Sequence, residues 1–87
     1  MAATPRYQAA GEEAWVHSTF AQCVRLRESH NGADPNAHGN IYGMQDGWQA
    51  AGGSGRAGAA SRAEQNYRAY LLWRRYGVSP WRPYDGC

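Results

Sequence analysis

The chain has 87 residues and a net charge of +2, from nine basic and seven acidic residues, and every basic residue is an arginine. That length reads as one small domain, and the charge is too mild for a dedicated nucleic-acid binder with its basic stripe. No run of 18 apolar residues is present, so no segment reads as a membrane span. Arginine without lysine, together with abundant Ala and Gly, reads as the codon bias of a GC-rich genome.

A domain this small buries only about two-thirds of its unfolded surface, so a covalent staple would help it. Cys23 and Cys87 are the only cysteines. A bridge between them would close most of the chain and place the protein in an oxidising compartment. The other reading is two free thiols, one buried and one at a frayed C-terminus. Four Trp, six Tyr and one Phe offset a shortage of Leu, Ile and Val, and suit a carbohydrate-facing cleft.

In chain order, residues 1–11 read as a flexible leader with no apolar core of the kind a secretory signal carries. The domain proper is expected over residues 12–87. A first helix is expected from Glu12 to Glu28, with two apolar rows: Val16, Phe20, Cys23 and Val24, then Trp15, Thr19, Gln22 and Leu26. Residues 29–43 are dense in Asn, Gly, Asp, Pro and His, and read as a short β-hairpin or an irregular loop. Met44, Trp48 and Ala51 fall at helical spacing, predicting a short helix within Tyr42–Ala51. A glycine-rich connector follows over residues 52–58. Ser61 and Glu64 form a capping-box pattern that starts a helix running to Tyr76, with Gly77 as its stop. The tail from Val78 to Cys87 reads as extended, its aromatics and Cys87 anchoring it on the first helix. The fold class is therefore α+β, mostly helical.

Glu28 stands where an apolar helix meets a polar, glycine-rich loop. Burial there and the negative end of a helix both raise a carboxyl pKa, although Arg25 and Arg27 can oppose them. A carboxyl protonated near neutral pH can donate to a glycosidic oxygen. On composition alone, a surface glutamate ending a helix is the plainer reading.

The neighbourhood changes the balance. Cys23, Glu28-Ser29, Tyr42-Gly43-Met44-Gln45, Trp48, Gly52-Gly53, Ala60-Ser61 with Glu64-Gln65, Trp81 and Cys87 occur in an order that resembles the resuscitation-promoting factor family. These are transglycosylase-like domains of actinobacteria and their phages, and the resemblance covers about residues 15–87. Tyr42 to Gln45 is also similar to the Gly-Leu-Met-Gln segment of soluble lytic transglycosylases. The resemblance implies a compact lysozyme-like fold and action on the glycan strands of peptidoglycan, outside the cell, at the cell wall or in a phage virion or lysis protein. It implies Glu28 as the catalytic acid, Ser29, Tyr42, Gln45 and Trp48 as substrate-binding residues, and a Cys23–Cys87 disulfide. Two departures stand out: His30-Asn31-Gly32 replaces a usual Gly-Gly-Asn, and Asp46 replaces a usual Phe. They bear on loop shape and substrate affinity more than on Glu28.

Asp34 and Asp46 are the candidates for a second carboxylate, with an Asp-Pro turn and a solvent-facing helix position as their structural readings. A lytic transglycosylase needs neither. One Glu serves first as acid and then as base toward the C6 hydroxyl of N-acetylmuramic acid, closing a 1,6-anhydro sugar. His17, His30 and His38 match no zinc spacing, so no metal and no cofactor are expected. His30 or His38 can instead serve as a hydrogen-bonding group for sugar hydroxyls. Arg74-Arg75 reads as a solvated helix face. The expected partners are glycan strands, with flanking domains or other cell-wall enzymes as further ones, and the expected state is a monomer. The competing function is a non-catalytic glycan-binding or protein-interaction module on the same fold.

Overall fold

The computed structural model describes residues 7–87. It places five α-helices in chain order: α1 (Glu12–Val16), α2 (Thr19–Ser29), α3 (Asp46–Ala50), α4 (Arg62–Tyr76) and α5 (Arg82–Asp85). Short 3₁₀ turns at Pro35–Ala37 and Ala57–Ala59 complete the order.

The helix expected over residues 12–28 is broken at Ser18. Its hydroxyl donates to the Trp15 carbonyl at 2.6 Å and accepts the Ala21 N–H at 3.2 Å. One side chain therefore closes α1 and caps α2, the competition a serine offers to a continuing helix. The break resets the helical phase. The buried positions of α2 are Ala21, Val24, Arg25 and Ser29. Leu26, expected in a buried row, is 56% exposed.

Among the described residues there is no β-strand, so the hairpin, and with it the β part of the expected class, is absent. The alternative, an irregular loop, is what forms. Side chains take the place of a strand partner. Gln65 on α4 accepts the Ile41 N–H at 2.8 Å and donates to the Gly39 and Ala60 carbonyls, each at 3.0 Å. Ser29 donates to the Ile41 carbonyl at 2.8 Å and accepts the Gly32 N–H at 2.8 Å. With the backbone of residues 39–41 satisfied this way, nothing requires a ladder. Ser29 and Gln65 are accordingly almost wholly buried.

Ser61 caps α4 as expected, accepting the Glu64 N–H at 3.1 Å. Glu64 does not complete the box: its carboxylate pairs with Arg68 at 2.9 Å, one turn along. Gly77 closes α4 in a positive-φ conformation. The tail differs from the extended form predicted. Pro83 sits in the first turn of α5, where a missing N–H costs nothing, and Trp81 just before it is buried.

The core is built largely from aromatics. Trp15 lies against Tyr42, Tyr70, Trp73 and Trp81, with ring centroids 5.8–6.4 Å apart. Ala21, Val24, Met44, Trp48, Ala69 and Leu72 fill the rest. Gly47 brings α3 onto α4, because a Cβ there would fall 2.6 Å from Leu72 Cδ2. The disulfide between Cys23 and Cys87 is formed, with a Cα–Cα distance of 6.0 Å, and it fixes the tail beside α2. Residues 1–6 of the expected leader lie outside the described residues. Within its remainder, Tyr7 packs on Tyr67 and the Ala10 carbonyl accepts the Tyr70 hydroxyl at 2.7 Å. No helix among the described residues is long and apolar enough to cross a membrane.

Candidate active site

Glu28 occupies the last turn of α2, before a Schellman-type end in which the His30 and Asn31 N–H groups bond back to the Leu26 and Arg25 carbonyls. Its carboxyl is half-buried and points between two concavities. One, of about 570 Å³, is polar: Asn36, His38, Asn40, Gln45, Gln49 and Arg56 border it. The other, of about 480 Å³, is more apolar, bordered by Met44, Leu72, Pro80, Trp81 and Tyr84, with Asp46 at its edge. Both share Glu28, Gly43, Met44 and Gln45, so the carboxyl stands at their junction.

Gly43 makes this placement possible. Its φ is +63°, and a Cβ on it would collide with the Glu28 carboxyl group itself. The glycine in Tyr42-Gly43 is thus required twice, by backbone conformation and by close approach.

The carboxyl does not stand alone. α5 packs on α2, and the Asp85 carboxyl lies in hydrogen-bonding reach of Glu28. Burial raises the Glu28 pKa first. The hydrogen bond to Asp85 and its negative charge raise it further, from the ordinary carboxylate range to about 7. A proton is therefore available on Glu28 close to neutral pH.

The sequence candidates separate sharply. Gln45 is exposed and faces both concavities. Ser29, Tyr42 and Trp48 are buried and committed inside the protein. The Tyr42 hydroxyl accepts Arg25 Nη1 at 2.8 Å and donates to Asn66 Oδ1 at 2.7 Å. Trp48 Nε1 donates to the Ser54 carbonyl at 3.0 Å, and Gly53 lies flat against its indole. These three hold the walls of the cleft from behind. Asp34 accepts the Asn36 N–H at 2.9 Å and starts the Pro35–Ala37 turn, without itself bordering either concavity. Asp46 borders the apolar one. His38 borders the polar one, whereas His17 and His30 are the closing residues of α1 and α2. Among the described residues no cluster of His, Cys, Asp and Glu has the makings of a metal site.

Asp85 is the neighbour of Glu28 that the sequence reading missed. A signal for it existed: Cys23 lies five residues before Glu28 and Cys87 two after Asp85, so the expected bridge already brought the two carboxyls to one place.

No family model, curated protein or solved structure matches the chain.

Proposed function

We propose that the protein is a peptidoglycan-degrading glycosidase, cleaving the β-1,4 bond between N-acetylmuramic acid and N-acetylglucosamine as a lytic transglycosylase. The observation that carries this reading is a glutamic acid whose pKa is raised to about 7, set at the junction of two concavities. A polysaccharide bound across both would present a glycosidic oxygen to that proton. The ordered resemblance of residues 15–87 to transglycosylase-like domains, and with it a lysozyme-like arrangement, supports the same reading.

Glu28 protonates the leaving oxygen, and the glycosyl centre gains oxocarbenium character. The carboxylate so formed takes the proton of the C6 hydroxyl of N-acetylmuramic acid, which closes onto C1 as the 1,6-anhydro product. Two-carboxylate glycosidases hold their acid and partner about 5 Å or more apart, with the sugar or a water between them. Asp85 lies in hydrogen-bonding reach of Glu28 and leaves no such gap, which favours one acid–base group over a nucleophile pair. Gln45, with Asn36, His38 and Gln49, supplies hydrogen bonds to sugar hydroxyls. Tyr84, 83% exposed, offers a ring face on the apolar side. The disulfide suits an extracellular, cell-wall or virion setting.

The test is digestion of purified peptidoglycan by the protein and by Glu28→Gln, with mass spectrometry of the released muropeptides. Anhydro products from the native protein alone are expected, with release lowered at least about 100-fold in the variant. Hydrated products would replace the transglycosylase with a hydrolase. Retained glycan binding without release from either protein would leave a binding module.

A further inference from the structure

We propose that Asp85 is the positioning residue of Glu28: the Glu28 carboxyl donates its proton in a hydrogen bond to Asp85, and the Cys23–Cys87 bridge, by holding α5 on α2, keeps that pair assembled. The inference deepens the proposed function and rests on it for its catalytic meaning, whereas the pair itself does not.

Three structural observations converge. Asp85 Oδ2 is buried and has no hydrogen-bond partner among the described residues. Such an acceptor is costly to leave alone. The Glu28 carboxyl lies within hydrogen-bonding reach, and a proton on it supplies a donor. Second, the Gly43 backbone lies so close to the Glu28 carboxyl that a Cβ there would collide with it, so the group is confined on that side. Third, α5 is only four residues long, too short to hold a position by itself. Trp81 before it donates from Nε1 to the Tyr42 carbonyl at 2.9 Å, and Cys87 after it is bonded to α2. Asp85 is thus pinned from both sides.

The other charged and titratable groups around Glu28 do not take this place. Arg25 on α2 is committed to Tyr42, and Arg27 is exposed. His38 and Arg56 border the polar concavity, and Asp46 and Tyr84 the apolar one; Arg82 is exposed on α5. Burial and Asp85 are what raise the Glu28 pKa.

The experiment is a ¹³C NMR titration of the side-chain carboxyl carbons in the intact protein, run beside the pH profile of muropeptide release. In the native protein the Glu28 carboxyl is expected to titrate at about 7. A Glu28 midpoint in the ordinary carboxylate range overturns the pair. In Asp85→Asn the Glu28 midpoint is expected to fall by at least about one pH unit, because the amide now donates to the ionised form. The alkaline limb of the release profile is expected to fall with it, while release at pH 5 survives. An unmoved midpoint overturns the proposal, and Asp85→Ser replaces the variant if Asn impairs folding by circular dichroism. In the Cys23→Ala/Cys87→Ala protein a fall in the midpoint is expected, and an unmoved one overturns the role of the bridge. If the midpoints move as expected and no muropeptide is released, the pair stands and the proposed function falls. Release with unmoved midpoints gives the reverse.

Discussion

At the scale of single residues, the raised pKa of Glu28 ties stability to pH. Its pKa is about 7 in the folded protein against an ordinary 4.5. Between those values the folded chain binds a proton that the unfolded chain has released. The contribution is therefore complete below about pH 4.5 and is lost as pH rises through 7. Allowing for the solvent that reaches the half-buried carboxyl, the effect is on the order of 1–2 kcal/mol. Glu28→Gln, which stays neutral and can donate to Asp85, is expected to match the native protein at pH 4 and to exceed it by about that amount at pH 8. Denaturant unfolding at the two pH values measures this; equal differences at both would sink the account. Gly43 is the companion residue. Gly43→Ala is expected to cost roughly 1–3 kcal/mol through its positive φ and the collision with the carboxyl. It should lower muropeptide release in parallel, as the displaced acid leaves the junction of the concavities.

At the scale of elements, short helices are held by side chains more than by their own turns. Tyr42 links α2 to α4 through Arg25 and Asn66, and stacks on Trp15 of α1. Tyr42→Phe keeps the ring and strips both hydrogen bonds, leaving the buried Arg25 short of an acceptor. A loss of about 1–3 kcal/mol in unfolding free energy is expected, with the same products released where the protein remains folded. A changed product pattern would instead place the Tyr42 hydroxyl at the substrate. The bridge joins residues 64 positions apart. Replacing both cysteines by alanine is expected to cost about 4 kcal/mol by the chain-entropy argument, read as a lowered denaturant midpoint.

At the scale of the whole molecule, the cleft is assembled from pieces distant in the chain: the end of α2, the loop over residues 36–45, the start of α3, the connector around Arg56, and the tail. Its two sides differ in character, one rich in amides with Arg56, the other carrying Tyr84 and apolar side chains. A chain that spans both is expected to bind better than one that fills half. Release from glycan oligomers of increasing length, compared at fixed concentration, should rise until both sides are occupied and then level off.

Local chemistry made much of this legible in the sequence. Glycines, prolines and asparagines marked the loop; Ser61 and Gly77 bounded α4; and the two cysteines pointed to their bridge, whereas Glu28 stood out only through the ordered resemblance of its neighbourhood. These features act over a few residues or, for the cysteines, by a covalent choice with one solution. Tertiary structure decided the rest. Ser18 won a competition between continuing a helix and capping a new one, and the outcome depended on what the rotated face of α2 could bury. Gln65 satisfied a loop backbone 24 residues away and so removed the need for a hairpin. Tyr42 and Trp48 had the right chemistry for a sugar groove and were drawn into the core, because a domain this small must bury its largest rings. Asp85 became the partner of Glu28 only when the tail folded back onto α2, a proximity set by packing and the bridge rather than by any local pattern.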